Sequence, residues 1–244
     1  MLAEQGIAHE WLSAGEAAQR WPGMVFEGRV LHQPDRSGRV HAEHAVAALT
    51  AAAVGHGALV RHRARVTRVA VRGEHQVDVL TEQDVVRARR VVVAAGAWTQ
   101  SLVGGLVPLP PLRVVQERAA SFPVLGALPC GVCPKDWPAF VHHAATDTYG
   151  LPSPGEGVVV GAAARADLAR LRDHVRRWLP GADAERPNPI AWTATYTPDA
   201  RFVLDRCGPV VVGTGSAAHG FTFAPTFGRA LADLAVGARI PAAS

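Results

Sequence analysis

Lysine is almost absent from this sequence: of its 25 basic residues, only Lys135 is a lysine. Chemistry that needs a tunable amine, such as Schiff-base formation, therefore has one candidate residue. Cysteine is nearly as scarce. Cys130, Cys133 and Cys207 form an odd set, which excludes a disulfide framework and fits a reducing compartment. No apolar run approaches the roughly 18 residues that span a bilayer. The opening Met1–His9 has neither a basic n-region nor an apolar h-region, so a cytoplasmic location is expected. Aromatic residues make up 6% of the chain, yet 48% of it is apolar, which excludes a disordered chain and points to a globular one. The net charge of +4 comes from arginines mixed with acids, without an aromatic-interleaved basic patch, which disfavours nucleic-acid binding. A Ser-His-Asp grouping, an H-x-x-x-H pair and a P-loop are all missing, so no metal site is expected.

What is present is a mixture of helical and strand patterns over 244 residues, enough for one large or two modest domains. Ser13 with Glu16 three residues on predicts a capped short helix that Trp21-Pro22 ends. A strand is expected over Gly28–Gln33, a turn at Pro34–Gly38 and a helix over His41–Val54, with Ala45, Leu49 and Ala52 at helical spacing. Strands are predicted over Ala58–Arg63, Arg65–Val71, Gln76–Leu80 and Val85–Arg87, the middle ones alternating as a half-exposed meander does. Val91–Ala95 is continuously apolar, which predicts a fully buried, parallel, central strand ending at Gly96. A short helix follows from Trp98, and the run Pro108–Pro111 marks a domain boundary. Beyond it, strands are expected at Arg113–Phe122, Ala139–His142, Thr148–Gly150, Gly157–Gly161, Ala191–Tyr196 and Arg201–Leu204. Leu168, Leu171, Val175 and Leu179 place an amphipathic helix over Asp167–Leu179.

The stretch Val210–Gly228 organises the rest. It reads as a buried strand, a Gly-rich turn and a helix beginning near Pro225, so free backbone N–H groups and a positive helix end converge there. Gly213-Thr-Gly215-Ser-Ala-Ala218 fits the spacing G-x-G-x-x-A. The returning strand and the acidic residue that a dinucleotide-binding unit needs do not follow it, which argues against a nicotinamide dehydrogenase. The segment then completes a cofactor pocket built elsewhere, or is simply a sheet-edge strand with a packed helix. His219 sits in the turn beside the helix start, where a positive helix end predicts a neutral imidazole able to donate to an anion; satisfying a turn carbonyl is the alternative. Cys130-Gly-Val-Cys133 lacks a second ligand pair and a helix to open, and reads as an ordinary loop.

Several segments in order resemble the D-amino-acid oxidase/sarcosine oxidase family of FAD-dependent oxidoreductases. Ala94-Ala95-Gly96-Ala97-Trp98 is similar to its AAGAW, Tyr149-Gly150-Leu-Pro-Ser153 to its YGFPS, and Tyr196-Thr-Pro-Asp199 with Phe202–Asp205 to its YTxTPDxxFxID. Gly215–Phe223 resembles the family's C-terminal flavin loop, and Gln33-Pro34-Asp35 with Gly38 a further segment. The resemblance implies an α/β fold: a partial, Rossmann-like FAD domain, residues 31–107 with 206–244, intertwined with an antiparallel-sheet substrate domain, residues 1–30 with 111–205. It implies non-covalent FAD, approached by Val66, Ala95, Gly96, Trp98, Gly215, Ser216, His219, Gly220, Phe221 and Thr222. Tyr149 and His219 would be the catalytic side chains, on the substrate and flavin sides. The substrate implied is a small amine or an N-methylated amino acid.

Departures accompany it. The family's lysine positions map onto Val159 and Thr222, and its covalent cysteine onto Trp192. The family's opening G-x-G-x-x-G unit would precede Met1, so a truncated or divergent relative is expected. A non-catalytic remnant, or a subunit borrowing its nucleotide-binding half from a partner chain, is the alternative.

Overall fold

The structure is a computed structural model that describes residues 2–35, 38–125, 137–144, 147–153, 157–162 and 167–237. Cys130, Cys133 and Lys135 lie outside the described residues, and so does part of the Pro34–Gly38 turn. The chain is a mixture of helices and mostly antiparallel strands. In chain order the elements are β1 (Glu10–Ser13), α1 (Ala14–Arg20), β2 (Arg29–His32), α2 (Ala42–Gly55), β3 (Val66–Gly73), β4 (Gln76–Thr81), β5 (Val85–Ala88) and β6 (Val91–Val93). Then come α3 (Thr99–Val103), β7 (Arg113–Phe122), β8 (Phe140–His142), β9 (Thr148–Ser153), β10 (Gly157–Ala162), α4 (Leu168–Trp178), β11 (Asn188–Tyr196), β12 (Val203–Cys207), β13 (Val210–Thr214) and α5 (Gly220–Val236). They fall into two compact units, Met1–His41 with Glu117–Trp192 and Ala42–Gln116 with Thr193–Ser244.

In the first unit, β1 and β2 pair antiparallel, Trp11 opposite Leu31. The Ser13 capping box forms with both of its bonds: the Ser13 N–H donates to Glu16 Oε2 at 2.8 Å and the Glu16 N–H to Ser13 Oγ at 3.3 Å. The main sheet runs β11-β7-β10-β9-β8. Its inward residues Ala120, Phe122, Val158, Val160 and Ala162 meet Leu171, Val175 and Leu179 of α4, with Trp21, Met24 and Trp137 in the same core. Strand alternation sends Thr148, Gly150 and Pro152 of β9 inward and leaves Tyr149, Leu151 and Ser153 on the opposite face.

The second unit holds the meander β3-β4-β5 and a sheet of order β12-β13-β6. Val69, Val77, Val93, Val103, Val107, Val210 and Val212 form its core. Three expectations change here. Residues 58–63 form no strand: Leu59 is exposed and Arg63 takes a left-handed φ of 55°, which no extended strand accommodates. The β6 strand is parallel to β13, as its apolar run predicts, but it is an edge strand and Val92 is 42% exposed, so it is neither central nor fully buried. The expected helix near Pro225 starts earlier, at Gly220, with Pro225 inside it. A proline at the sixth helical position leaves the Phe221 carbonyl without its i+4 donor, a loss the rest of the helix outlasts.

The α2 helix forms where its sequence predicts, yet buries none of its residues. Val46, Leu49 and Val54 all project apolar surface outward, Leu49 at 58% exposure.

Candidate functional site: a glycine corner and a tyrosine face

The corner in the second unit begins with strand register. Val210, Val211 and Val212 of β13 lie opposite Val91, Val92 and Val93 of β6, in parallel. Their carboxyl ends therefore emerge side by side, the place where open α/β sheets bind ligands. Each exit turns on a left-handed glycine, Gly215 at φ 71° and Gly96 at φ 51°, passes through a short 3-10 turn (Ala217–His219 and Gly96–Trp98), and enters a helix.

Packing explains why side chains are missing at some of these positions. A Cβ at Gly213 would lie 2.7 Å from both Leu231 Cδ1 and Phe227 Cε1, so α5 can close on β13 only over a glycine. A Cβ at Gly215 would lie 2.7 Å from Thr197 Cγ2 and 3.0 Å from the Arg201 carbonyl oxygen, which itself accepts from Thr197 Oγ1 at 2.7 Å. Gly96 is different. Nothing stands within 4 Å of where its Cβ would be, so its backbone is open to close approach by a flat ligand.

The start of α5 has no side-chain cap and carries the positive helix end, entered directly from the 3-10 turn. Around it, His219 and Thr222 are exposed, Ser216 and Gly220 are partly so, and Phe221, Phe223 and Trp98 present aromatic surface, Trp98 at 68% exposure. Ala95 and Val66 lie half-buried in the cluster around Val93 and Val212. The second unit thus holds Val66, Ala95, Gly96, Trp98 and Gly215 through Thr222, with Val66 and Ala95 packed against one core. These residues fit a flavin nucleotide: an open left-handed glycine, uncapped helix donors and exposed rings. Among the described residues no group of three or more His, Cys, Asp or Glu could hold a metal ion.

Tyr149 belongs to the first unit. Its ring packs against Gly161 on β10, where a Cβ would fall 2.3 Å from the hydroxyl oxygen. Burial, then the charge of Glu117, pushes its phenol pKa up, so the hydroxyl stays protonated and can donate. Val159 shares this face, being one residue from Val158 and Val160 in the core.

Sequence reasoning missed four contributors. Ala217 adopts a left-handed φ of 48°, a strained geometry for alanine that nothing in the residue's identity announces. Gly161 and Glu117 are set by register and by fold. The ring of Phe202 stands 5.6 Å from Phe223 and 5.5 Å from Phe227, and the i,i+4 spacing of the last two is the legible signal.

With this geometry in place, comparison with known proteins is informative. A family model described as FAD dependent oxidoreductase, DAO, matches residues 1–234. Peroxisomal sarcosine oxidase of Mus musculus is 32% identical over 267 residues, covering 96% of this chain and 66% of that protein. Monomeric sarcosine oxidase of a Bacillus species is 28% identical over 260 residues, covering 94% and 64%. The solved open form of NikD, described as an unusual amino acid oxidase essential for nikkomycin biosynthesis, superposes with a TM-score of 0.78 at 27% identity, covering 100% of this chain and 69% of that one. The chain spans just under two thirds of the length of these sarcosine oxidases.

Proposed function

Because this chain belongs to the FAD dependent oxidoreductase family, we propose that it oxidises a small amine or an N-methylated amino acid with non-covalently held FAD. Its likeness to sarcosine oxidases supports the substrate class. The observation that carries the reading is the pair of parallel strand exits, each turning on a left-handed glycine at one end of one sheet.

In this reading, residues 31–107 and 206–244 form the cofactor half, and residues 1–30 and 111–205 the substrate half. The uncapped N–H groups from Gly220 onward, with Gly215 and Ser216, donate to anionic or carbonyl oxygens of the cofactor. Gly96 and Ala95 offer bare backbone, Trp98 and Phe221 offer ring faces, and Val66 offers a strand edge. When bound, FAD supplies a two-electron acceptor for hydride leaving the carbon beside an amine nitrogen. His219 donates a hydrogen bond beside the ring. Tyr149, kept protonated, donates to the substrate's carboxylate and fixes its orientation. Trp192 stands where a covalent subgroup carries its cysteine, which is why attachment is proposed to be non-covalent. A cytoplasmic location, suggested by cysteine usage, is part of the proposal.

A second reading has its own observation. The edge position of β6 and the bare apolar flank of α2 are the surfaces a further strand–helix unit would cover. That unit would bring the glycine-rich pyrophosphate grip, from sequence outside these 244 residues or from a partner chain.

The test is the visible absorption of the purified 244-residue chain after incubation with FAD and gel filtration. It is repeated with any in-frame upstream sequence added, and followed by anaerobic bleaching with sarcosine. Retained flavin that sarcosine bleaches supports the proposal. Flavin retained only by the extended form supports the second reading. Failure of both forms to retain flavin sinks the proposal, and sinks the second reading too when a partner chain carrying the glycine-rich grip does not restore retention.

A further inference from the structure

A cavity of about 600 Å³ lies in the first unit between α4, the β8–β9 end of the sheet and the chain before β2. It stands on the other side of the sheet from Tyr149. Register makes this unambiguous: Thr148 and Ala162 line the cavity and are cross-strand partners, while the neighbouring pair Tyr149 and Gly161 points away. The α4 helix supplies Arg170, His174 and Arg177 at i, i+4 and i+7, one stripe along its cavity side. Leu171 and Trp178 give the cavity an apolar wall, and His142 faces in from β8.

The side chains are arranged for recognition more than for stability. Arg172 and Arg176, elsewhere on the helix, are tied to Glu185. Arg177 instead pairs with Glu27, at 3.4 Å and well exposed, and lays its guanidinium 4.7 Å over the Trp178 ring. The rings of His142 and His174 are 5.4 Å apart, and His142 stands 4.3 Å from Trp178, edge-on. Nε2 of His174 is buried with no hydrogen-bond partner. Buried polar atoms without partners are rare in folded proteins, and this one belongs to a ring that lines the cavity wall. Burial, then His142, drives the His174 pKa down to about 4, so its ring is neutral and able to donate. Among the described lining residues, the charged side chains are Arg170, Arg177 and Glu27, and His143 pairs with Asp147 at 3.2 Å.

We propose that this cavity is a second ligand site, for a small organic anion. Its carboxylate or phosphate oxygens lie between Arg170 and Arg177, beside the His174 ring, and its planar or apolar body rests on Trp178 and Leu171. The volume is that of a small-molecule site and exceeds what a bare inorganic ion fills. The site is independent of the flavin reading, because its residues all lie on the α4 side of the sheet.

The experiment is a histidine-labelled NMR titration of the 244-residue chain, with the His174 resonance assigned by its loss in His174→Gln. The probes are inorganic phosphate and phthalate, each against sodium chloride at matched ionic strength. The expected result is a saturable shift of His174 and a titration midpoint moved upward by about one pH unit, as a nearby anion favours the imidazolium. Arg177→Ala and Arg170→Ala should each weaken binding about tenfold. Arg177→Lys should recover part of the loss, since lysine restores the charge without the fork. Saturation by phosphate alone assigns a phosphate ester, and saturation by phthalate alone or by both assigns a carboxylate-bearing planar ligand. The proposal is overturned if neither probe saturates, if sodium chloride produces the same shift, or if both alanine variants, folded by thermal melting, bind as the parent does.

Discussion

At the scale of single residues, the glycine corner makes opposing demands that mutation can separate. Gly213→Ala forces a methyl to within 2.7 Å of Leu231 and Phe227, and overpacking of this kind costs roughly 1–3 kcal/mol. Gly96→Ala meets no atoms, so only its left-handed φ is penalised, about 1 kcal/mol. Urea unfolding should rank Gly213→Ala as the more damaging of the two, while the proposed flavin site makes Gly96→Ala the one that weakens FAD retention. Ala217 is the converse case. Replacing it by glycine relieves a strained φ of 48° but adds unfolded-chain entropy, so a net gain of about 0.5 kcal/mol in urea midpoint analysis is expected. None of this strain could be read from the sequence, because alanine carries no mark of the conformation imposed on it. The glycines were legible, since Gly96 and Gly215 each follow an apolar strand run that has to turn.

His174 gives a residue-scale prediction in pH. Its folded-state pKa of about 4 lies below the ordinary histidine value of 6.5, so the unfolded chain binds the proton more tightly. Stability is therefore intact above pH 6.5 and is lost as the pH falls towards 4. Discounting for partial exposure, the loss is on the order of 1 kcal/mol. After burial, the second contribution to this penalty on the imidazolium is His142, whose ring stands 5.4 Å away. The His174→Gln chain should show a flatter dependence of urea midpoint on pH between 6.5 and 4.

At the scale of elements, sequence pattern succeeded where local rules decide and failed where partners do. The β7 strand spans Arg113–Phe122, the very bounds its pattern predicts, and α4 follows from its leucine stripe and the Asp167 cap, whose carboxylate accepts from the Arg170 N–H at 2.8 Å. The first helix is equally local. Ser13→Ala removes both bonds of the Ser13 hydroxyl, leaving only the backbone N–H arm of the capping box, and should cost about 1 kcal/mol, measured by urea unfolding, with Glu16→Ala costing less. The failures are of another kind. An apolar strand such as β6 reads as central because its composition reports what it is suited to bury, and its position at an edge is a fact about which strands are beside it. The α5 start slipped because proline was read as a first-turn residue, whereas Gly220 and the preceding 3-10 turn had already begun the helix.

At the scale of the molecule, the exposed apolar surface of the second unit decides between the two readings of the flavin site. A 14-residue helix with no buried side chain is hard to account for on its own terms, since helices in proteins are stabilised chiefly by packing one face. If α2 is a surface helix and nothing more, Leu49→Glu replaces a 58% exposed leucine and should change stability by less than about 0.5 kcal/mol, with flavin retention unaltered. If α2 is instead the seat of a further strand–helix unit, the same substitution leaves the 244-residue chain as stable, or less prone to associate. It then abolishes flavin retention by the extended or partnered form, because a carboxylate must be desolvated in the new interface. Measuring urea midpoint and FAD absorbance for both forms with and without Leu49→Glu separates the cases. An unchanged midpoint in the 244-residue chain beside lost absorbance in the larger assembly identifies α2 as an interface. Equal absorbance with and without the substitution in every form assigns α2 to solvent and leaves the glycine corner to hold the cofactor without help from that face.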